Sequence, residues 1–417
     1  MPRSRIIFLA ILAVAIIIAL FFGVARPQLE QAANDAATQQ AVIRTQNATA
    51  TARANVTNIR INYGTEKDSW LKAAVERFHV AHPEIRVELI GQGSMASYNA
   101  LSQVTDDKNT FDGNKPIPTL WSPAASIQVN LLNSETTSPT KLNRELAINC
   151  KPLVLSPMAI MVWEDRAAAF EAAYKNKGGI TLQNIADALS GPAQGSWGKL
   201  GGNPDWGLIK VGYTNPYESN SGTMMVIALA NNFYNKPTRI TVTEATAPDF
   251  QKFMATLSNA VSQSLLSSSG LLMRDVIARG PSSYDFVIVY EALGIENFKN
   301  AVGRHRQTIR FVYPKFNLYT DHPLCIIDHP SITPAEREAA KVFQNFLLSK
   351  DIQTLALTYG YRPADISIPI FGANTVFDDP ELQAAGVGDA VGQELALPDG
   401  ATIRQLLTVW RRSYTGS

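Results

Sequence analysis

A basic excess is missing from this chain: Lys+Arg total 37 against Asp+Glu 36, a net charge of +1. Binding nucleic acid means neutralising phosphates, which calls for such an excess, so no nucleic-acid partner is expected. Histidine is scarce as well, five residues in all. His79 and His82 share a helix end at i, i+3, but nothing nearby completes a metal set. His322-Pro323 and His329-Pro330 bracket one strand and read as strand-end turns. The Gly-x-Ser-x-Gly elbow of hydrolases is absent, as are the glycine-rich phosphate loop ending in Gly-Lys-Ser/Thr and the His-Glu-x-x-His zinc pair. The chain therefore reads as a non-enzyme with no cofactor. Only two cysteines occur, Cys150 and Cys325, and none follows the N-terminal apolar run, which excludes a lipid-modified N-terminus. Beyond residue 56 there is no internal repeat and no low-complexity stretch.

What is present begins with MPRSRIIFLAILAVAIIIALFFGVA, residues 1–25. Arg3 and Arg5 precede an unbroken apolar run from Ile6 to Val24, about the 20 residues that a bilayer crossing requires. Basic residues on the N-terminal side keep that end in the cytoplasm and put the rest outside. Two readings compete. The run is longer than the apolar core of a cleaved signal peptide, which favours a transmembrane anchor. Gly23-Val24-Ala25 ends in small residues, which suits cleavage and a secreted or periplasmic product. Residues 26–56 are rich in Ala, Gln, Thr and Asn and contain no aromatic. They cannot bury enough apolar surface to fold alone and are expected to form a tether.

From Asn58 onward strands and helices alternate. IRINYG (59–64), IRVELIG (85–91), TLW (119–121), PLVLSPMAIMVW (152–163), WGLIKVGY (206–213), DFVIVY (285–290), IRFVYP (309–314) and HPLCIID (322–328) read as strands. Helical patterns lie between them, including one over about 248–266, and the tail ends in an amphipathic helix over about 402–412. Repeated strand–helix units predict a mostly parallel sheet covered by helices.

Four times a strand runs straight into a helix that begins with small hydroxyl residues: Thr65, Ser94, Ser122 and the Ser219–Thr223 stretch containing Ser221. The Thr65-x-x-Asp68 spacing resembles a capping box, and Ser122-Pro123 suits an N-cap followed by a first helical proline. In open α/β sheets the ligand crevice lies beyond the carboxyl ends of the strands. Helix starts pointing into it offer unpaired N–H groups and a positive dipole end. Each hydroxyl alone is explained by capping; their convergence predicts a site for a small polar molecule or ion. Tyr290 and Glu291 end a strand that points the same way. Glu66 and Glu291 suit a cationic ligand or are solvated carboxylates.

The ordered set TEKDSWLKAAVERFHVAHP, GSMASYNAL, TLWSPAAS, PLVLSPMAIMVWE, GLIKVGYTNPYESNSG, DFVIVYEAL and YTDHPLCIID, with AEREAAKVFQNFLLSKDIQTLALTYGYRPA, covers about 58–364. It resembles the bacterial extracellular solute-binding proteins of the type II periplasmic-binding class. The branch it resembles most is often fused to a von Willebrand factor A domain, which is missing here: its Asp-x-Ser-x-Ser motif appears nowhere. The resemblance implies a two-lobed α/β Venus-flytrap fold. Lobe one would take about 58–151 and 318–364, and lobe two about 152–317, with 365–417 as a C-terminal extension. Crossing strands would lie within 152–163 and 311–327. Cys150 and Cys325 lie beside these crossings, so either a disulfide in an oxidising compartment or two inert thiols is expected. By similarity to molybdate and sulfate binders, Ser94, Ser122, Ser219, Ser221 and Tyr290 would hold the ligand, with Thr65 at the matching position after the first strand. Glu66-Lys67 departs from the small hydroxyl residues of oxyanion binders. The implied function is capture of a small-molecule or ion ligand, such as an oxyanion, outside the cytoplasm for transport or sensing, in partnership with a membrane transporter or another membrane protein. The alternative is a membrane-anchored scaffold that keeps the fold without a ligand.

Overall fold

The computed structural model describes residues 11–14, 23, 38–40, 56–259, 265–372 and 375–415. The chain divides into two compact units, Met1–Thr57 and Asn58–Ser417. In the first, residues 11–14 and 38–40 are helical. Most of the expected membrane-crossing run and of the expected tether lies outside the described residues. Among the described residues no helix is long and apolar enough to cross a membrane.

The second unit is built on two sheets. Apart from two two-stranded pairs, Thr110–Phe111 with Lys115–Pro116 and Phe316–Asn317 with Gln393–Glu394, the strands of these sheets are β1 (Thr57–Gly64), β2 (Ile85–Gln92), β3 (Leu120–Ser122), β4 (Ala147–Pro152), β5 (Val154–Trp163), β6 (Val211–Gly212), β7 (Phe286–Tyr290), β8 (Ile309–Val312), β9 (Tyr319–Thr320), β10 (Pro323–Ile327) and β11 (Arg362–Pro363). The first sheet has the order β2-β1-β3-β10-β4 and the second the order β8-β5-β7-β6, with β9 and β11 also paired to β5. Neither is mostly parallel as expected. β1 and β3 run parallel, as do β6 and β7, but β10 is antiparallel to both its neighbours and β5 is antiparallel to β7 and β8. The reason is connectivity. These strands are where the chain passes from one sheet to the other, so they run against the locally wound strands.

β5 carries much of that traffic. Its first residues pair with Arg362–Pro363, the next with Tyr319–Thr320, and the remainder with β7 and β8. The chain thus passes between the halves near residue 153, near residues 321–322 and again near residue 362, one passage more than the resemblance implies. Cys150 and Cys325, on the adjacent antiparallel strands β4 and β10, are joined by a disulfide.

The helices used below are α1 (Asp68–Ala81), α2 (Ser94–Leu101), α3 (Ser126–Thr136), α4 (Asn220–Phe233), α5 (Pro248–Asn259), α6 (Ser269–Arg279), α7 (Glu291–His305), α8 (Pro334–Leu347) and α9 (Gly400–Thr415). α1 buries Trp70, Leu71, Ala74, Val75 and Phe78, one stripe of a 3.6-residue period. Phe78 meets Phe343 of α8 edge to face. α9 buries Ile403, Leu406, Leu407 and Trp410, spaced i, i+3, i+4, i+7, in the core of the second half. Trp410 also donates its indole N–H to the Tyr213 hydroxyl at 3.2 Å. The C-terminal segment is therefore integral to that half.

Three local expectations need correction. Thr65 does not cap a helix: a 3-10 turn, Thr65–Lys67, precedes α1, and no side-chain cap bond forms. Ser122 is not an N-cap either. It stays in β3, and α3 starts only at Ser126, where Gln128 accepts the Ala125 N–H and Asp321 accepts the Ser126 N–H. The helical pattern over about 248–266 ends at Asn259 among the described residues, and a separate helix, α6, follows from Ser269.

Candidate ligand-binding cleft

The carboxyl end of β1 leads through Gly64 into the 3-10 turn, which directs two charged side chains inward. Glu66 and Lys67 are 4% and 0% exposed. The Lys67 ammonium donates to Glu66 Oε1 at 2.6 Å, reaches the Pro123 carbonyl at 3.3 Å and faces His322 Nδ1 at 3.4 Å. The Thr320 hydroxyl donates to the Ser156 carbonyl at 2.9 Å. It therefore accepts the His322 Nε2–H at 3.0 Å, and His322 Nδ1 lies 3.3 Å from Glu66 Oε1 as well as beside Lys67. Burial, and then Lys67, push the His322 pKa down. Burial alone raises the Glu66 carboxyl, but Lys67 and His322 outweigh it and hold the group at about 2. Burial lowers the Lys67 pKa in spite of Glu66. The rings of Tyr290 and Tyr361 flank His322 at 5.6 and 5.3 Å, and Tyr361 donates its hydroxyl to the Glu66 carbonyl at 2.7 Å.

The second half contributes a chain of hydroxyls. Ser219 holds the N-cap position of α4. Ser221 Oγ lies 2.8 Å from Ser269 Oγ, 2.7 Å from Thr214 Oγ1 and 3.3 Å from Ser219 Oγ. Asn220 donates to the Tyr290 hydroxyl at 2.9 Å and accepts from Gln128 of α3. That last bond crosses from one half to the other.

The halves also meet through backbone. The Met95 and Ala96 amides both donate to the Glu218 carbonyl, at 3.2 and 3.1 Å. These are first-turn amides of α2, which have no partner within their own helix. The approach depends on Gly93, where a Cβ would lie 2.5 Å from the carbonyls of both Glu218 and Ser267. Ser94 Oγ accepts the Ala124 N–H at 3.0 Å and so ties α2 to the loop after β3. The α2 amides expected to be free for an anion are thus engaged across the cleft. Two hydroxyls remain: Thr65 Oγ1 and Ser122 Oγ are buried and make no hydrogen bond. Beside Thr65 a cavity of about 140 Å³ separates Thr65, Glu66 and Asp68 from Gly270, Arg274 and Glu296.

Of the residues singled out from sequence, Thr65, Glu66, Ser94, Ser122, Ser219, Ser221 and Tyr290 lie where the two halves meet. Glu291 does not. It begins α7, is fully buried, and forms a two-pronged ion pair with Arg362, both distances 2.9 Å, while Tyr313 donates to it. It serves the joint to the C-terminal segment. Sequence reasoning missed Lys67, Asn220, Ser269 and His322. The run Ser267-Ser268-Ser269-Gly270 before Leu271-Leu272-Met273 is a further hydroxyl-rich helix start and was legible. Lys67 and His322 carry no such signal. No group of three His, Cys, Asp or Glu side chains among the described residues is arranged to hold a metal.

Residues 59–362 match the family described as bacterial extracellular solute-binding protein. The chain belongs to that family. This solute-binding protein is similar in structure to the sulfate-binding protein of Mycobacterium tuberculosis, with 16% identity over 84% of this chain and 96% of that one and a TM-score of 0.50. It is also similar to the substrate-binding protein of an ABC transporter from Agrobacterium tumefaciens, with 13% identity, coverage of 86% and 95%, and a TM-score of 0.55. The ferric binding protein of Campylobacter jejuni gives 10% identity, coverage of 86% and 98%, and a TM-score of 0.51. No curated protein sequence matches the chain significantly. At these identities the structural likeness establishes the α/β two-lobed periplasmic-binding fold.

Proposed function

We propose that this solute-binding protein captures a small polar solute between its two lobes and presents the closed complex to a membrane transporter. The observation that carries this reading is that Thr65 Oγ1, buried and without a hydrogen-bond partner, borders the cavity of about 140 Å³ between residues 65–69 and residues 270–297; Ser122 Oγ, at the carboxyl end of β3, is likewise buried and unpartnered. A buried polar group without a partner costs about 1–3 kcal/mol, and a bound solute would remove that cost. Ser94, Ser219, Ser221 and Tyr290 complete the ring of polar groups around it. In an open form the Met95 and Ala96 amides would lose Glu218 as partner and become free to bind solute. A solute bridging both sides would favour closure.

The charge of the cleft narrows the ligand. Glu66 is held ionised, and Lys67 neutralises it at 2.6 Å. A bare dianion would meet no net positive field there, so an uncharged or zwitterionic solute fits better. The relatives named above as binding sulfate and ferric iron indicate the small size of solute that the fold accommodates. The apolar run Ile6–Val24 would hold the protein in the membrane with the binding domain outside the cytoplasm.

One observation favours a second reading. The Glu218 carbonyl accepts from the first-turn amides of α2, so these amides join the lobes directly rather than offering themselves to a solute, as in a scaffold that had lost its ligand. Thermal-shift measurements on the binding domain against sugars, amino acids, oxyanions and divalent cations separate the two. Capture predicts stabilisation by at least one solute, with the shift abolished in Ser122→Ala. A folded protein that no solute in the panel stabilises supports the scaffold.

A further inference from the structure

A second cavity, larger than the one beside Thr65, lies outside the cleft. It has a volume of about 610 Å³ and lies where the chain passes between the lobes, against the C-terminal segment. Its walls come from three places: Ile127 at the start of α3 in one lobe, Leu155 on the crossing strand β5, and Ile368 and Leu397 from the segment after β11. Ile368 and Leu397 lie beyond residue 362, where the match to the solute-binding family ends. This chain's own C-terminal segment therefore completes a chamber that the matched domain alone would leave open.

Its size falls within the range of small-molecule sites, roughly 300–1,000 Å³, and such sites combine apolar walls with a few polar groups that orient the ligand. Here the polar groups are unequal in what they have left to offer. Arg362 is neutralised by Glu291, and Asp321 accepts from the amide and hydroxyl of Ser126. The Tyr319 hydroxyl and the Glu394 carboxylate also line the chamber. Among the described residues neither makes a side-chain hydrogen bond, and none places a cation in contact with Glu394. With Arg362 balanced by Glu291, Asp321 and Glu394 leave the chamber with an acidic excess.

We infer that this chamber is a second binding site, for a hydrophobic amine: an apolar body against Ile127, Leu155, Ile368 and Leu397, with its ammonium on Glu394 and the Tyr319 hydroxyl. Such a ligand would touch both lobes and a strand that joins them, so its occupancy favours the arrangement of lobes in which the chamber is closed. The site needs no contribution from the cleft hydroxyls.

The test uses two probes with the same ring and opposite heads, tryptamine and indole-3-propionate, titrated calorimetrically into the protein and two variants. Glu394 is exposed, so Glu394→Gln removes its charge without disturbing a core. Leu397→Trp fills the chamber, and its fold is checked by circular dichroism and melting temperature. The expected result is tryptamine binding with indole-3-propionate at least tenfold weaker, a tenfold or greater loss of tryptamine affinity in Glu394→Gln, and none measurable in a folded Leu397→Trp. Equal binding of the two probes, tryptamine affinity unchanged in both variants, or no tryptamine binding to the unmodified protein overturns the inference.

Discussion

Lys67 Nζ lies 2.6 Å from Glu66 Oε1, and neither side chain reaches solvent. Removing one partner of such a pair leaves the other charge buried and uncompensated, at a cost of about 3–5 kcal/mol. Lys67→Met is expected to lower stability by that order, and Glu66→Gln/Lys67→Met together by much less. Urea denaturation of the single and double variants measures the difference.

The same pair sets an acid limit on stability. The Glu66 carboxyl is held at about 2 in the folded protein, below the value of about 4.3 for an unfolded glutamate. Its stabilising contribution is complete above pH about 4.3 and is lost as pH falls toward 2. Denaturation midpoints followed between pH 6 and 2.5 should fall in the native protein. They should fall less steeply in Glu66→Gln, which is the weaker protein at neutral pH.

Ser122 Oγ makes no hydrogen bond in the folded chain. Ser122→Ala therefore removes a buried polar group that the fold leaves unpaired and should raise the unfolding free energy, by up to about 1–3 kcal/mol, with any loss no greater than about 0.5 kcal/mol. A larger loss would mean that the hydroxyl has an internal partner after all. Ser221→Ala differs, because its hydroxyl links Thr214 and Ser269; a loss of about 1 kcal/mol is expected.

Cys150 and Cys325 enclose 175 residues of sequence separation, including nearly all of the second lobe. Closing so long a loop in the unfolded chain is worth up to about 5 kcal/mol in the entropic treatment, and measured losses run about 2–5. The doubly substituted Cys150→Ser/Cys325→Ser protein should melt lower by an amount of that order and keep its far-ultraviolet spectrum. An unchanged melting temperature would show that the bond contributes nothing.

Glu291 and Arg362 hold the joint to the C-terminal segment rather than a ligand. Arg362→Ala should cost about 3–5 kcal/mol by stranding the buried Glu291 carboxylate. Glu291→Gln should leave solute-induced thermal shifts unchanged in size, which distinguishes a structural carboxylate from a ligand contact.

Much of this organisation is legible in the sequence, and for physical reasons. Strand–helix alternation and the helix starts at Ser94 and Ser219 follow from periodicity and capping chemistry. Ser122 and Thr65 were read correctly as lying at strand ends and wrongly as caps. A capping residue and a strand-end residue with a free hydroxyl look alike until the true first turn is known, and here Gln128 and Asp321 supply the bonds that Ser122 was expected to make. Lys67 and His322 carry no local signal because each is placed by the other, a contact between residues 255 positions apart. The helix over about 402–412 is legible from its apolar spacing, but its seat on distant partners such as Tyr213, 197 positions from Trp410, is not. No local repeat announces that role.

The most direct test of the account is isothermal titration of the solute identified by thermal shift into three proteins: unmodified, Ser122→Ala and Ser221→Ala. A hydroxyl-lined cleft predicts one site per chain, with affinity at least tenfold weaker in both variants while their circular dichroism is unchanged. Equal affinity in all three would place the solute elsewhere and contradict the assignment of the cleft.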